Sequence, residues 1–303
     1  MSDNQKTKIA VLGWNGHLGL SLTPKLRSSE FHVTTIGRHL NSDLVVTDLV
    51  SEDFSNVFKL INPEIVINLA AMTDVQLCEE NPDKAEYINS KLVDMLANGI
   101  ERTNRAIHLI QISTDHIYNS FGYSSENSEE ELLNNYAKTK FLGERAALNG
   151  GGAVYRVNFV GLSRPKEPNF SEWLYSKFSN HENIYGFSDV YFSPLFIDDL
   201  SDAILVSLKL KKPGLFNIGA TNGISKLDFI IRLAMKFDQN LLPNISARAY
   251  SDMAFDVMRP KDMRMDCNKF VKEFGAKLPS IDQTISKLAK QFSDRRSELW
   301  VSQ

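Results

Sequence analysis

Tyr136 and Lys140 stand four residues apart, a spacing that puts both side chains on one face of a helix. A free phenol titrates near 10, about three units above neutral pH. A neighbouring ammonium favours the phenolate. The pair is therefore expected to act as a general acid that protonates a carbonyl oxygen as its carbon receives hydride. Lys140 is also expected to hold ribose hydroxyls of a bound cofactor. Ser113-Thr114-Asp115 comes earlier in the chain, and Thr114 would donate a second hydrogen bond to the same oxygen. The Tyr-x-x-x-Lys spacing recurs at Tyr87 and Lys91, so spacing alone selects nothing. Tyr87 precedes the Ser113-Thr114 segment instead of following it, and this second pair is read as helix-face residues. His116, beside Asp115, is read as a wall of the substrate pocket rather than as a proton carrier.

Hydride chemistry needs a dinucleotide site, and Gly13-Trp14-Asn15-Gly16-His17-Leu18-Gly19 has the composition for one. The glycines follow an apolar run and open a helical stretch. Glycine is needed where backbone turns tightly and approaches a pyrophosphate without a Cβ in the way. Helix-start amides then face the anion. The next strand ends Ile36-Gly37-Arg38-His39, with no acidic residue to hold a ribose hydroxyl. Arg38 can instead meet a 2′-phosphate, so NADPH is the expected cofactor, with NADH use as the alternative.

Elements must hold these groups together. Apolar runs at 8–13, 31–36, 44–47, 64–71, 106–112 and 153–157 are expected strands of a buried parallel sheet. Helical periodicity at 18–26, 54–61, 84–100 and 136–148 separates them. Alternation of this kind predicts an α/β, Rossmann-type, doubly wound parallel sheet. After the triple glycine at 150–152 the alternation loosens, with Pro165, Pro168 and aromatic clusters. Later strands are expected at 192–197 and 215–219, with a helix at 198–209 between them. The expected organisation is a dinucleotide-binding domain over 1–157 plus about 193–218. A smaller substrate-binding lobe would take about 158–192 and 219–303. The acidic run 129–131 is expected in a solvated loop or first helical turn.

Composition excludes several classes. The 303 residues are 43% hydrophobic and carry a net charge of −3, so no basic field exists for nucleic acid. Cys78 and Cys267 are the only cysteines, too few for a disulfide framework or zinc site. No metal is expected. The polar N-terminus lacks the apolar core of a signal peptide, and no apolar run reaches membrane-spanning length, so a cytoplasmic protein without a membrane partner is expected. Neither G-x-S-x-G nor GxxxxGK[ST] occurs, against a hydrolase elbow or a P-loop.

Over nearly its whole length the chain resembles the dTDP-4-dehydrorhamnose reductase family of extended short-chain dehydrogenases/reductases. The GxxGxxG spacing, the 111–118 segment QISTDHIY and Tyr136/Lys140 carry the resemblance first. Thr47-Asp48-Leu49, the segment 66–73, Asn89, the segment 192–199 and Arg259-Pro260 with Arg264 and Asp266 add to it. The resemblance implies NAD(P)H-dependent reduction of the 4-keto group of a nucleotide-diphosphate-linked 6-deoxysugar, in activated deoxysugar biosynthesis for surface polysaccharide. Thr114, Tyr136 and Lys140 would be catalytic. Gly13, Asn15, Gly16, His17, Leu18, Gly19, Arg38, Asp48, Leu49, Ala70, Ala71, Thr73, Asn89 and Ser113 would join Tyr136 and Lys140 around the cofactor. Thr114, Asp115, His116, Asn158, Phe159 and Arg259 would face the sugar nucleotide. A homodimer is compatible with the resemblance. Departures from the family pattern are Phe159 for a tryptophan, Ala137 for a glycine, and Asp262 and Met263 before Arg264. They leave the nucleotide and sugar open. An epimerase with bound NAD is one alternative. A non-catalytic NADP-binding regulatory subunit, with a partner such as methionine adenosyltransferase, is another. Asp115-His116 stands where related dehydratases carry Asp-Glu, which argues against dehydration.

Overall fold

A computed structural model describes residues 6–46, 48–49, 52–163 and 169–301. Thr47, Pro165, Pro168 and the N-terminal five residues lie outside the described residues. In chain order the first elements are β1 (Thr7–Leu12), α1 (His17–Ser28), β2 (Phe31–Gly37), β3 (Leu44–Val45), α2 (Phe54–Ile61) and β4 (Ile65–Asn68). Then come α3 (Val75–Glu80), α4 (Pro82–Glu86), a π-helical turn (Tyr87–Lys91), α5 (Leu92–Glu101), β5 (His108–Thr114) and a 3-10 turn (Asp115–Ile117). The next are α6 (Asn135–Asn149), β6 (Ala153–Val157), β7 (Phe159–Val160), α7 (Phe170–Ser179), β8 (Ile184–Phe187), β9 (Tyr191–Phe192) and β10 (Leu195–Phe196). The chain continues through α8 (Ile197–Ser207), β11 (Gly214–Ile218), β12 (Ile224–Ser225), α9 (Lys226–Phe237) and β13 (Ile245–Arg248). It ends with β14 (Asp262–Met263), α10 (Asn268–Phe274) and α11 (Ile281–Val301).

The central sheet has seven strands in the order β11-β6-β5-β4-β1-β2-β3. β1 runs parallel to β2 and β4, β4 to β5, and β5 to β6. This is the doubly wound architecture expected from the alternation. β4 and β6 are buried at every position, which is why their sequences read as continuous rather than alternating apolar runs. Phe54, Val57 and Phe58 of α2 and Leu92, Leu96 and Ile100 of α5 form a core with Ala10, Leu12 and Val66 of the sheet. Asp53 caps α2 by accepting from Ser55 N, and Asn62 ends the helix in the left-handed region at φ 50°.

Two regions depart from the sequence reading. The helix expected over 84–100 is helical from Pro82 to Glu101 but contains a π turn at its centre, where the buried Asn89 side chain bonds Met72. Such turns insert one residue into the helical ladder and re-aim the side chains around it. The strand expected at 192–197 is two short strands broken at Ser193-Pro194. β9 pairs with β12 and β14, and β10 with β7, so neither joins the central sheet. The acidic run 129–131 is an exposed loop.

The chain divides into two compact units. The first comprises 1–117, 132–157 and 201–216, and the second 118–131, 158–200 and 217–303. The second unit has its own aromatic core, where Tyr175, Phe178 and Phe237 surround Phe292 at centroid distances of 5.1, 6.2 and 5.6 Å. Among the described residues no helix is long and apolar enough to cross a membrane.

Candidate active site

The parallel strands bring the carboxyl ends of β1, β4 and β5 to one edge of the sheet, and the strand order reverses between β1 and β4. A crevice for a ligand opens at such a switch point. Gly13 lies there with φ +73°, and a Cβ on it would sit 2.5 Å from Ala70 N in the segment after β4. A Cβ on Gly19 would lie 2.4 Å from the Trp14 carbonyl. Both positions therefore require glycine. Gly16 is the N-cap of α1 and has no side chain to serve the first-turn N–H groups. His17, Leu18 and Gly19 form that first turn, preceded by half-buried Asn15. The cradle that side chains would fill, followed by a helix start uncapped by any side chain, fits a dinucleotide pyrophosphate.

At the end of β2, Trp14 Nε1 donates to Ser42 Oγ at 3.0 Å and pins the following loop. Arg38 is exposed on that loop. Asp48 is exposed and Leu49 packs against the core. Ala70 and Ala71 are half-buried, and Thr73 is exposed.

Asn134 caps α6 by accepting from Ala137 N through its side chain, and the first turn is held by Glu79, which accepts from Asn135 N at 2.7 Å and Asn135 Nδ2 at 2.6 Å. A carboxylate suits the positive end of a helix. The inner face of α6 buries Tyr136, Thr139, Lys140 and Glu144, so polar groups occupy the side that usually reads as apolar. The Tyr136 oxygen is hydrogen-bonded to Thr114 at the end of β5. The His116 ring meets the Tyr136 ring edge-on at 5.4 Å, and Thr114 Oγ1 donates to Asp115 Oδ1 at 3.4 Å. Lys140, 3% exposed, donates from Nζ to the Ile112 carbonyl at 2.6 Å. The structure thus brings together Thr114, Asp115, His116, Tyr136 and Lys140.

The electrostatics differ from the expectation of a phenol lowered by Lys140. Burial pushes the Tyr136 phenol above its usual range, the Thr114 hydrogen bond opposes this, and Asp115 and Cys78 add to the rise. The Lys140 ammonium is aimed at the Ile112 carbonyl, and desolvation outweighs any help it gives. Burial pulls Lys140 down to about 8, opposed by the Glu144 carboxylate and then by Cys78. The Cys78 thiol is itself pushed up to about 11, chiefly by burial.

Asn89 and Ser113 are engaged inside the protein. Asn89 Oδ1 accepts from Met72 N at 2.8 Å, and its Nδ2 donates to Met72 O at 3.0 Å and to Thr139 Oγ1 at 3.1 Å. The Ser113 hydroxyl donates to Glu144 Oε1 at 2.5 Å. Tyr87 and Lys91 are exposed, and Lys91 pairs with Glu86 at 3.2 Å, as helix-face residues do. Asn158, Phe159 and Arg259 belong to the second unit. The Asn158 carbonyl accepts from Leu195 N, Phe159 lies in β7, and exposed Arg259 donates its backbone N–H to Tyr250 Oη at 2.8 Å. Among the described residues no group of three or more His, Cys, Asp or Glu is placed to hold a metal ion.

Sequence reasoning missed a buried polar framework behind these groups. Asn68 Nδ2 donates to Gln111 Oε1 at 2.7 Å, and Gln111 Nε2 donates to the same Ile112 carbonyl that Lys140 contacts, at 2.8 Å. Arg156, inside β6, donates from Nε and Nη2 to Glu144 at 3.0 and 2.7 Å. The available signal was polar residues inside otherwise apolar strands, where charged residues are rare unless paired.

The sheet order and the glycine loop at its switch point define a Rossmann-type α/β protein. Residues 7–293 match the family model described as RmlD substrate binding domain, and the chain belongs to that family, the one its motifs resemble. It is 24% identical over 302 residues to "Probable low-salt glycan biosynthesis reductase Agl14" of Haloferax volcanii, covering 95% of this chain and 99% of that protein. It is 25% identical over 297 residues to the dTDP-4-dehydrorhamnose reductase of Sinorhizobium fredii, covering 93% and 96%. The dTDP-4-dehydrorhamnose reductase of Bacillus anthracis, solved in complex with NADP, superposes with a TM-score of 0.82 at 22% identity, over 94% of this chain and 99% of that one. MoeE5, solved with UDP-glucose and NAD, gives 0.79 at 18%, over 96% and 99%.

Proposed function

We propose that this protein is an NAD(P)H-dependent oxidoreductase that reduces the 4-keto group of a nucleotide-linked 6-deoxysugar. The observation that carries the reading is the burial of Tyr136 and Lys140 on one face of α6 against the carboxyl end of β5, where the Ile112 carbonyl accepts from Lys140 and Thr114 stands by the phenol. The family's relatives named as sugar-nucleotide and glycan reductases support it. When bound, the nicotinamide supplies hydride to the sugar carbon. Tyr136 Oη gives its proton to the oxygen of that carbon, and Thr114 donates a hydrogen bond to the same oxygen. Lys140 holds ribose hydroxyls. The loop at Gly13–Gly19, with Ala70, Ala71 and Thr73, takes the pyrophosphate side of the cofactor. Asp48 and Leu49 take the adenine side. Asn89 and Ser113 serve this site through the backbone and carboxylate they hold. Asp115, His116, Asn158, Phe159 and Arg259 are assigned to the sugar nucleotide, the last three giving the second unit its substrate role.

The test is oxidation of NADPH, and separately NADH, against dTDP-, UDP- and GDP-4-keto-6-deoxysugars. Sugar-dependent loss of reduced nicotinamide is the expected result. Binding of NADPH with no oxidation by any of these sugars would overturn the reading.

NADPH is the preferred form in this proposal because Arg38 stands exposed where NAD-selective proteins carry an acid. Arg38→Ala is expected to weaken NADPH about 10- to 100-fold, the loss of a charge-assisted phosphate contact. NADH affinity should hardly change. Titrations of both cofactors check this, and equal losses for the two would remove Arg38 from the role.

A further inference from the structure

We infer that Trp14 and Ser42 form a clasp that sets the choice between NADPH and NADH, by fixing the turn that carries Arg38 against the glycine loop. The inference deepens the reading of Arg38 as the partner of a 2′-phosphate and rests on it. NADPH has two anionic groups, the pyrophosphate and the 2′-phosphate. In that reading they meet two segments far apart in sequence, residues 13–19 and the turn after β2. Trp14 belongs to the first segment and bonds the second, where its Nε1 donates to Ser42 Oγ at 3.0 Å.

Both ends of this link are fixed. The Trp14 carbonyl lies against the first turn of α1, where a Cβ on Gly19 would come within 2.4 Å of it, and Gly16 N closes the turn around it by donating to Gly13 O at 3.0 Å. At the other end, a Cβ on Gly37 would lie 3.0 Å from Ser42 Oγ and 3.4 Å from Trp14 Nε1. The pair therefore packs directly on the β2 backbone at the residue before Arg38. Ser42 is only 8% exposed, although Asn41 and Asp43 on either side of it are exposed. An indole N–H can only donate, and the inward hydroxyl gives it an acceptor. Other bonds hold the far side of the loop. Asp43 accepts from Thr35 N at 2.8 Å, Thr35 Oγ1 at 2.7 Å and Arg27 Nη2 at 2.6 Å, and Val46 N donates to Gly37 O at 3.0 Å. Residues 38–41 are all exposed, and Ser42 closes their turn by donating its backbone N–H to His39 O at 2.9 Å. The Ser42 side chain is thus the tie between the Arg38 turn and the glycine loop. A side chain on a turn already fixed loses less freedom on binding than one on a loose turn. NADH lacks the phosphate that Arg38 would meet, so the clasp bears on NADPH alone. A bond that served only to keep the glycine loop folded would bear on both cofactors equally.

Ser42→Ala removes the acceptor hydroxyl and nothing else from the loop. Dissociation constants for NADPH and NADH are then measured by nicotinamide fluorescence, with no sugar present. NADPH is expected to weaken about 3- to 10-fold, the net worth of one hydrogen bond, and NADH less than about twofold. Trp14→Phe takes the same bond away from the donor side and should lower the NADPH-to-NADH preference by a similar factor; should it fail to fold, Ser42→Ala decides alone. In an Arg38→Ala background, Ser42→Ala should weaken NADPH no further, because the residue it positions is gone. Equal losses for the two cofactors in Ser42→Ala, or no loss for NADPH, would overturn the proposal. Arg38→Ala by itself tells this failure from that of the parent reading. If it lowers the preference and Ser42→Ala does not, the clasp is wrong and Arg38 stands. If it leaves the preference unchanged, the role of Arg38 is wrong and the clasp falls with it.

Discussion

Tyr136→Phe is expected to lower sugar-dependent turnover by about 10²- to 10⁴-fold, the usual contribution of a positioned general acid. The ring stays in place and only the hydroxyl is lost, together with its hydrogen bond to Thr114. Cofactor affinity should change less than about twofold, because Lys140 and the glycine loop are untouched. Cofactor titration and initial rates on the same preparation check both halves. Retained turnover would mean another acid serves, and His116, edge-on to Tyr136 at 5.4 Å, is one alternative. The pH dependence follows from the shifts. Burial raises the phenol, so Tyr136 is protonated throughout the neutral range and its proton is always available. Lys140, drawn down to about 8, is the group that loses charge first as pH rises. The alkaline loss of turnover should therefore follow Lys140, and it should vanish as a separate limb in Lys140→Arg, where the charge persists.

Much of the fold could be read from the residues, because buried parallel strands and the helices between them follow from apolar runs and their breaks. The helix 54–61 and the strand 153–157 were legible to the residue. The π turn was not, and the Asn89 within it bonds Met72 and Thr139, which lie far from it in sequence. The break at Ser193-Pro194 was hidden because 192–197 is apolar on both sides of it. At the site, residue types and spacing placed Thr114, Tyr136 and Lys140 together, and the glycine loop at a strand end. They could not give the direction of the phenol's shift. Desolvation depends on what covers Tyr136, and the target of the Lys140 ammonium is a backbone carbonyl that no spacing marks. The buried carboxylate at Glu144 escaped because it lies one turn past the recognised pair. Its partner Arg156 stands on a different element.

Gly143→Ala shows how tightly that framework is built. On an exposed helix the change would stabilise by about 1 kcal/mol, through the better propensity of alanine. Here the new Cβ would lie 2.1 Å from the Asn89 carbonyl oxygen and 3.3 Å from Val93 Cγ2. The obstructing atom is backbone within the π turn, so no side-chain rotation relieves the clash. Either α6 lifts from α5 or the π turn is pushed back. Overpacking of this kind costs about 1–3 kcal/mol and sometimes more, and the severity of this contact points to the upper end. A net loss of about 2–3 kcal/mol is expected, which in a chain of this size corresponds to roughly 3–5 °C in Tm. The consequence reaches the site because Asn89 holds Met72, in the segment after β4, and Thr139, the neighbour of Lys140. Cofactor affinity should therefore fall along with stability, unlike in Tyr136→Phe. Thermal unfolding and an NADPH titration on the same variant check this, and a Tm equal to or above that of the wild type would show that the two helices separate without cost. Gly143 of α6 is thus explained by the π turn it packs against, and Asn89 ties that turn to the segment that follows β4.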